Sequence, residues 1–406
     1  ILKNIKTPDY CTINFKDGYS VSLSATNGTV SAPTSQSTGY NGTVSFTVTS
    51  NTGSRELTKN TCNGVLSGNT LTISNVTSSK SCEIEFKQYT LSEKLFSDNP
   101  TISTRTDFST TFTTTNTGTL YKATESIANS PAKDVYYFAG DAKNNWVKFG
   151  GFYWRIIRTN HDGSIRLLYS GTATDTTSGY IRKSAFNSST GDPMYVGYMY
   201  GTRGTLASNR TNENNSTIKG VIDTWYNNNL SSYTKYISTE AVYCNDREEG
   251  SGTYNTESTP FYFAPYTRLD KNKAPSYNCT NSKDAFSGSN SEAKLTYPIG
   301  LMTSDEITYA GGYKFTSLTS PYAWYYLNSV GGSITGSAYW WLLSPYFWSG
   351  VHSRVWFVFD SGQPGLLRSE NVNNSYGVRP VISIKADAIW SRGDGSPENP
   401  YEIVYI

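Results

Sequence analysis

Between Tyr19 and Phe86 the chain is cut into short runs of alternating apolar and polar residues, VSLSA, TVSFTVTS, NTLTISNV and SCEIEF, separated by Asn-Gly, Thr-Gly and Ser-Gly pairs. A period of two puts every second side chain on one face of a strand, and Asn and Gly suit the turns that join such strands. Residues 19–90 are therefore expected to form a small β-sandwich repeat or spacer. YCTINFK at Tyr10–Lys16 repeats the pattern of SCEIEFK at Ser81–Lys87, so residues 1–18 read as the end of a preceding β-repeat.

The 406 residues are enough for two or three domains with proper cores. A formal charge of +2 supplies no field for nucleic acid or an anionic membrane, and a charged fraction of 16% with 14% aromatics argues against disorder. Abundant Tyr, Thr, Ser, Asn and Gly suit an extracellular β-rich protein. No run approaches the ~18 apolar residues of a membrane span, so direct membrane insertion is not expected. The expected location is extracellular, at the cell surface, with an anchor upstream of residue 1.

None of the five cysteines falls in a C-x-x-C pair or a Cys/His cluster, so neither a metal nor any other cofactor is expected. In a secreted protein Cys62 with Cys82 and Cys244 with Cys279 are the natural disulfides, each closing a short loop and contributing about 3 kcal/mol. Free buried thiols are the alternative. Cys11 is left over, its partner belonging to the preceding repeat.

Residues 91–130 are rich in Thr and Ser with little apolar periodicity, which marks a linker or lead-in. From 131 to 406 a new domain is expected. VYYFAG, WVKFGGFYWRII and SIRLLYSG read as strands, with a hairpin turn at residues 160–163. A helix is expected over Ser216–Leu230, with Ile218, Val221, Ile222 and Trp225 as its apolar stripe behind a Ser cap. A shorter one starts at the Thr303/Glu306 capping box and stops at Gly311 and Gly312. Short helices among many strands make this an α+β domain.

The stretch from Tyr339 to Lys385 sets large aromatic side chains among Ser, Gly, Asn and Arg. Tyr and Trp offer wide, rigid contact area at low entropic cost, and the small polar residues offer adaptable hydrogen bonds, which is the composition of a binding surface.

NNWVKFGGFYWRIIRTNHDGSIRLLYSG at 144–171, STIKGVIDTWYNNNL at 216–230, YCNDR at 243–247, LTYPIGLMTSDEITYAGG at 295–312, WWLLSP at 340–345 and NSYGVRPVISIK at 374–385 resemble, in matching order, a family of surface proteins of low-GC Gram-positive gut bacteria. The resemblance implies a C-type-lectin-like domain, related in fold to formylglycine-generating enzymes and to the variable proteins of diversity-generating retroelements. In the latter, reverse transcription with errors at template adenines diversifies a C-terminal binding face while framework codons stay fixed. Residues 340–376 occupy the place of that variable region. The implied ligand-facing residues are Phe347, Ser349, His352, Arg354, Phe357, Phe359, Leu366, Arg368, Asn373, Asn374 and Tyr376, with Val355, Val358, Leu367 and Val372 as framework. An Asn codon with both adenines changed does not yield Trp, Gln or Glu, so Trp348, Trp356, Gln363 and Glu370 belong to the framework or to other codons.

The function expected on this basis is a surface-displayed adhesin-like receptor for a macromolecular ligand, a protein or glycan on another cell or a phage. The alternative is a fixed-sequence adhesin or a calcium-independent glycan-binding module, and after these an oxidase-like enzyme. A calcium lectin is disfavoured because Gln363-Pro364-Gly365 lacks the ligating carboxylate. No catalytic residue is expected: His161 and His352 are the sole histidines, and Cys244 and Cys279 lie outside any recognised catalytic motif. Trp340 and Trp341 are expected in the core, and Arg379 is expected to serve backbone carbonyls or a buried carboxylate. Asp223, Asp246, Asp305 and Glu306 are expected in helix caps and surface pairs.

Overall fold

The computed structural model describes residues 18–327, 332–360 and 362–405. Cys11 and the proposed end of a preceding repeat at residues 1–17 lie outside the described residues. The chain divides into two compact units, one ending at Tyr89 and the other running from Thr90 to Ile406.

In the first unit the alternating runs build two four-stranded sheets. One holds Tyr19–Thr26 between Ser35–Thr38 and Lys80–Gln88, and the other pairs Gly42–Ser50 with Thr70–Val76. Inward positions two residues apart, such as Val44, Phe46 and Val48, or Cys82, Ile84 and Phe86, form one core. Cys62 and Cys82 are joined, with Cα atoms 5.5 Å apart.

The second unit starts with an element that the Thr-rich composition hid. Residues 91–130 are not a linker. Thr90 caps helix α1 (Leu91–Asp98), with Glu93 completing a capping box and Leu91 and Leu95 buried one turn apart. Thr101–Ser103 and Thr119–Glu125 then pair side by side as the edge of an eight-stranded sheet. β-branched Thr serves a strand as well as a loop, and Leu120 is fully buried.

That sheet continues through the hairpin of Phe152–Thr159 and Ile165–Gly171 to Pro380–Ile384. Gly163 takes the positive φ of the turn at +82°. Helix α2 (Thr217–Asn229) has Ser216 as its cap, but its buried stripe is Ile218, Ile222 and Tyr226, with Lys219 beside it. Val221 and Trp225 are half-buried, so the stripe is rotated from the expected one and follows an i, i+4, i+8 row. Helix α3 (Ser304–Ala310) has the Thr303/Glu306 capping box and ends at Gly311, whose φ is +118°.

The long loops between these elements are held by buried guanidinium groups. Arg379 is fully buried, donates to the carbonyls of Tyr169 at 3.1 Å and Tyr325 at 2.9 Å, and lies over Trp340. Arg247 donates to the carbonyls of Met199 and Lys283 and pairs with Asp284 at 2.6 Å. Irregular backbone carries no ladder of its own, so these side chains supply the donors its carbonyls need. Cys244 and Cys279 are joined across the same region, with Cα atoms 5.7 Å apart. Reducing that bridge, which spans 35 residues, is expected to cost about 4 kcal/mol in the loop-entropy model, readable as a lower urea midpoint under dithiothreitol.

Candidate functional site: an aromatic face on the second sheet

The second sheet of the C-terminal unit carries the segment that the composition singled out. Its relevant strands are β1 (Phe261–Phe263), β2 (Trp340–Trp348), β3 (Ser353–Val358), β4 (Leu367–Asn371) and β5 (Tyr376–Val378). Antiparallel pairing sets Trp341 opposite Phe357 and Phe357 opposite Arg368, while β5 runs parallel to the start of β2. These partners therefore share one face.

The face is layered. Trp341 is fully buried, its indole N–H donating to the Ser184 carbonyl at 2.9 Å, and Phe357 beside it is 3% exposed. Over this floor stand Tyr339, Phe359 and Tyr376, all half-buried. Ring centroids lie 4.7 Å apart for Tyr339 and Phe359, 5.2 Å for Tyr339 and Tyr376, and 5.0 Å for Phe357 and Tyr376. Exposed Arg368 reaches over Phe359, with its guanidinium carbon 5.9 Å from the ring. Burial, then the charge of Glu370, raises the Tyr376 phenol above its ordinary pKa, so it is a neutral hydroxyl at pH 7.

The eleven expected ligand-facing residues do not form one surface. Phe359, Arg368 and Tyr376 gather on the face just described, and Phe357 is corrected from rim to floor. Leu366 is likewise buried, at 3% exposure, beyond the end of β4. Arg354 is three residues from Phe357 on the same strand, and an odd separation sends it to the opposite face. There its Nε donates to Asn371 Oδ1 at 3.1 Å, across from Phe347. Ser349 and His352 close the turn between β2 and β3, the Ser349 N–H donating to the His352 carbonyl at 3.1 Å and the His352 N–H to Ser349 Oγ at 2.8 Å. Asn373 and Asn374 make the turn between β4 and β5, where the Asn374 N–H donates to the Asn371 carbonyl. Tyr339, outside the expected set, belongs to the rim; alternation from Trp341 on the same strand pattern was the signal for it.

The acidic residues expected at surface caps and pairs are largely interior. Glu306 keeps its capping role, accepting from the Thr303 N–H at 2.9 Å, and its other oxygen meets Arg158 Nε at 3.1 Å and Arg166 Nε at 2.8 Å. Glu125 holds Arg158 from the other side through two bonds near 3 Å. Burial alone would lower the Arg158 pKa, but Glu125 and Glu306 outweigh it and hold the guanidinium firmly charged. Next to them Arg268 forms a fork with Asp305, both bonds at 2.9 Å, and meets Asp246 at 2.6 Å. The void among these groups is about 20 Å³, room for a single water and for no substrate.

Burial pushes the Asp246 carboxyl above the ordinary carboxylate range against the pull of Arg268. A carboxyl raised in the folded state weakens folding as it ionises, so its contribution falls as pH rises from about 4 through the raised value. Asp246→Asn is expected to flatten that decline, seen by comparing urea midpoints of the two proteins from pH 4 to 8. A parallel offset between the two curves would contradict it.

Residues 206–386 match the model of DUF6273, a domain of unknown function. The DUF6273 match takes in α2, α3 and all of β1 to β5, so the aromatic face lies wholly inside it. Glu125, Arg158 and Arg166 lie outside, so Glu306 joins the matched segment to the preceding strands, as do Arg379 and the strand Pro380–Ile384. No curated protein and no solved structure matches the chain.

Proposed function

We propose that this is a surface-displayed binding protein whose C-terminal unit is a C-type-lectin-like recognition domain with a retroelement-diversified face. The observation that carries the reading is the rim of Tyr339, Phe359, Tyr376 and Arg368 seated on a packed floor of Trp341 and Phe357. Such a platform presents aromatic anchors already ordered by the sheet, so little entropy is lost when a ligand covers them. Arg368 adds a charged donor at the edge, a residue type enriched with Tyr at interface hot spots.

The division into buried framework and exposed positions supports the same reading. Val355, Val358, Leu367 and Val372 are fully or almost fully buried, as are Trp348 and Trp356. Phe347, Ser349, His352, Arg354, Asn373 and Asn374 reach the surface around them, at the strand ends and turns. Two disulfides fit an oxidising, extracellular setting. Among the described residues no helix is long and apolar enough to cross a membrane.

The ligand, on this reading, is a protein or glycan borne by another cell or a phage. Labelled full-length protein screened on glycan arrays and bacterial cell panels tests this against the triple variant Phe359→Ala, Arg368→Ala, Tyr376→Ala. The variant is expected to lose at least about tenfold in affinity on every surface the parent binds. Equal binding by the two proteins would remove the aromatic face from the account.

A further inference from the structure

The opposite face of the same sheet carries a second aromatic group, built on a different chemistry. Trp356 immediately precedes Phe357 in β3, and alternation sends it away from the first face. It is fully buried, and Tyr346 packs edge-on to it at 4.8 Å. Tyr262 of β1 lies 4.4 Å from Phe347 and stacks on Tyr266 at 3.8 Å with an interplanar angle of 20°.

Three lysines crowd this group. Lys314 Nζ lies 5.2 Å from the Tyr266 ring centroid and 5.0 Å from that of Tyr346, and donates to the Tyr346 hydroxyl at 2.9 Å. It also pairs with Asp270. Lys273 Nζ lies 4.2 Å over Phe315 and 5.4 Å from Tyr313, and donates to the Asp270 carbonyl. Lys271, which is exposed, sets its Nζ 5.6 Å from the Tyr266 ring centroid.

The backbone beneath them is unusual. Thr267–Asn272 is a π-helix, a form rare in proteins and concentrated at functional sites, and Lys273 follows it in the left-handed region at φ +53°. The Lys273 N–H donates to the Arg268 carbonyl and ends the helix there, and its ammonium group lies over Phe315. Phe315 is 57% exposed, a large ring standing in water beside a cation.

Three ammonium groups share the carboxylate of Asp270, while Asp107 acts on Tyr313. Asp270 is the carboxylate that acts on Lys273, and it is already paired with Lys314. Burial lowers the Lys273 pKa and the neighbouring Lys314 and Lys271 lower it further, against the pull of Asp270. An anion placed among the three ammonium groups relieves their repulsion. A flat, exposed ring next to that anion site suits the apolar C–H face of a sugar.

We infer that the surface formed by Lys271, Lys273, Lys314, Tyr313 and Phe315 binds an acidic glycan, its carboxylate or sulfate held by the lysines and a sugar ring stacked on Phe315. The site shares no residue with the first aromatic face, so the two readings fail independently.

Binding of the full-length protein to oligogalacturonate, to heparin-derived oligosaccharide and to neutral dextran, followed by calorimetry at 50 and 300 mM NaCl, tests it. One or both acidic oligosaccharides are expected to bind, more weakly at high salt, and dextran not at all. Which acidic probe binds tells carboxylate from sulfate recognition. Lys273→Ala and Phe315→Ala are each expected to weaken binding about tenfold with an unchanged circular dichroism spectrum, while the triple variant of the first face leaves it intact. Polyglutamate serves as the acidic-peptide comparison. Absence of binding by both acidic probes at millimolar concentration overturns the inference. So does binding that neither substitution alters, or polyglutamate binding of equal strength that survives Phe315→Ala.

Discussion

Replacing Glu306 by Ala is expected to destabilise the C-terminal unit by about 3–5 kcal/mol, the cost of stranding buried charge without its partner. Glu306 is 2% exposed and faces two arginines, Arg158 and Arg166, that are equally enclosed. Arg158 retains Glu125, so the stranded group is chiefly Arg166, whose remaining bonds go to the neutral acceptors Val242 O and Asn160 Oδ1. Loss of the capping box adds about 1 kcal/mol. Glu306→Gln separates the two contributions, because an amide oxygen still accepts from the Thr303 N–H while the charge is gone. Chemical denaturation read by tryptophan fluorescence checks both: the Gln variant is expected to lose most of what the Ala variant loses. A Gln variant as stable as the parent would mean that the buried ion pairs contribute nothing.

Phe357→Ala is expected to cost about 3–5 kcal/mol of stability, while Arg368→Ala, directly across the strand pair, is expected to stay within about 0.5 kcal/mol. The two residues are register partners on one face. Phe357 lies under the rings of Phe359 and Tyr376, with centroids 5.1 and 5.0 Å away, so truncation leaves a cavity that the sheet cannot close. Arg368 is exposed and reaches over one ring. Its loss should therefore appear in ligand binding and Phe357's in the melting curve. Equal stability of the two variants would place Phe357 on the surface after all.

The local signals in the sequence were sound where one segment decided its own structure. The Thr303/Glu306 box, the Ser216 cap, the hairpin at residues 160–163 and the burial of Trp340 and Trp341 are all properties of a few neighbouring residues. Arg379 was legible too, since an Arg between two buried strands has few partners other than backbone carbonyls. What failed was of two kinds. Composition alone marks residues 91–130 as a linker or lead-in, although Thr90 and Glu93 spell a capping box and Leu91 and Leu95 a helical pair. Placing Arg354 and Phe357 on one face conflicts with their odd spacing.

The interior ion network was out of reach for a different reason. Arg158 is separated from Glu125 by 33 residues and from Glu306 by 148. Nothing in the local pattern of a charged residue tells whether a distant partner will fold over it. Asp305 and Glu306 read as first-turn acids, which they are, and also as surface groups, which they are not. The second aromatic face was hidden likewise, because it gathers Tyr262, Phe315, Tyr346 and Trp356 from four separate segments.

The central claim, that the first face is a diversified recognition surface, is tested most directly by sequencing the coding segment for residues 330–385, with its flanking DNA, across the source population. The account predicts a near-copy template beside a reverse transcriptase gene. Substitutions should fall at template adenines and alter rim and turn residues such as Ser349, His352, Phe359, Arg368, Asn373 and Tyr376, while Trp341, Val355, Val358, Leu367 and Arg379 stay fixed. A uniform segment with no template, or variation spread evenly over buried and exposed positions, would contradict it.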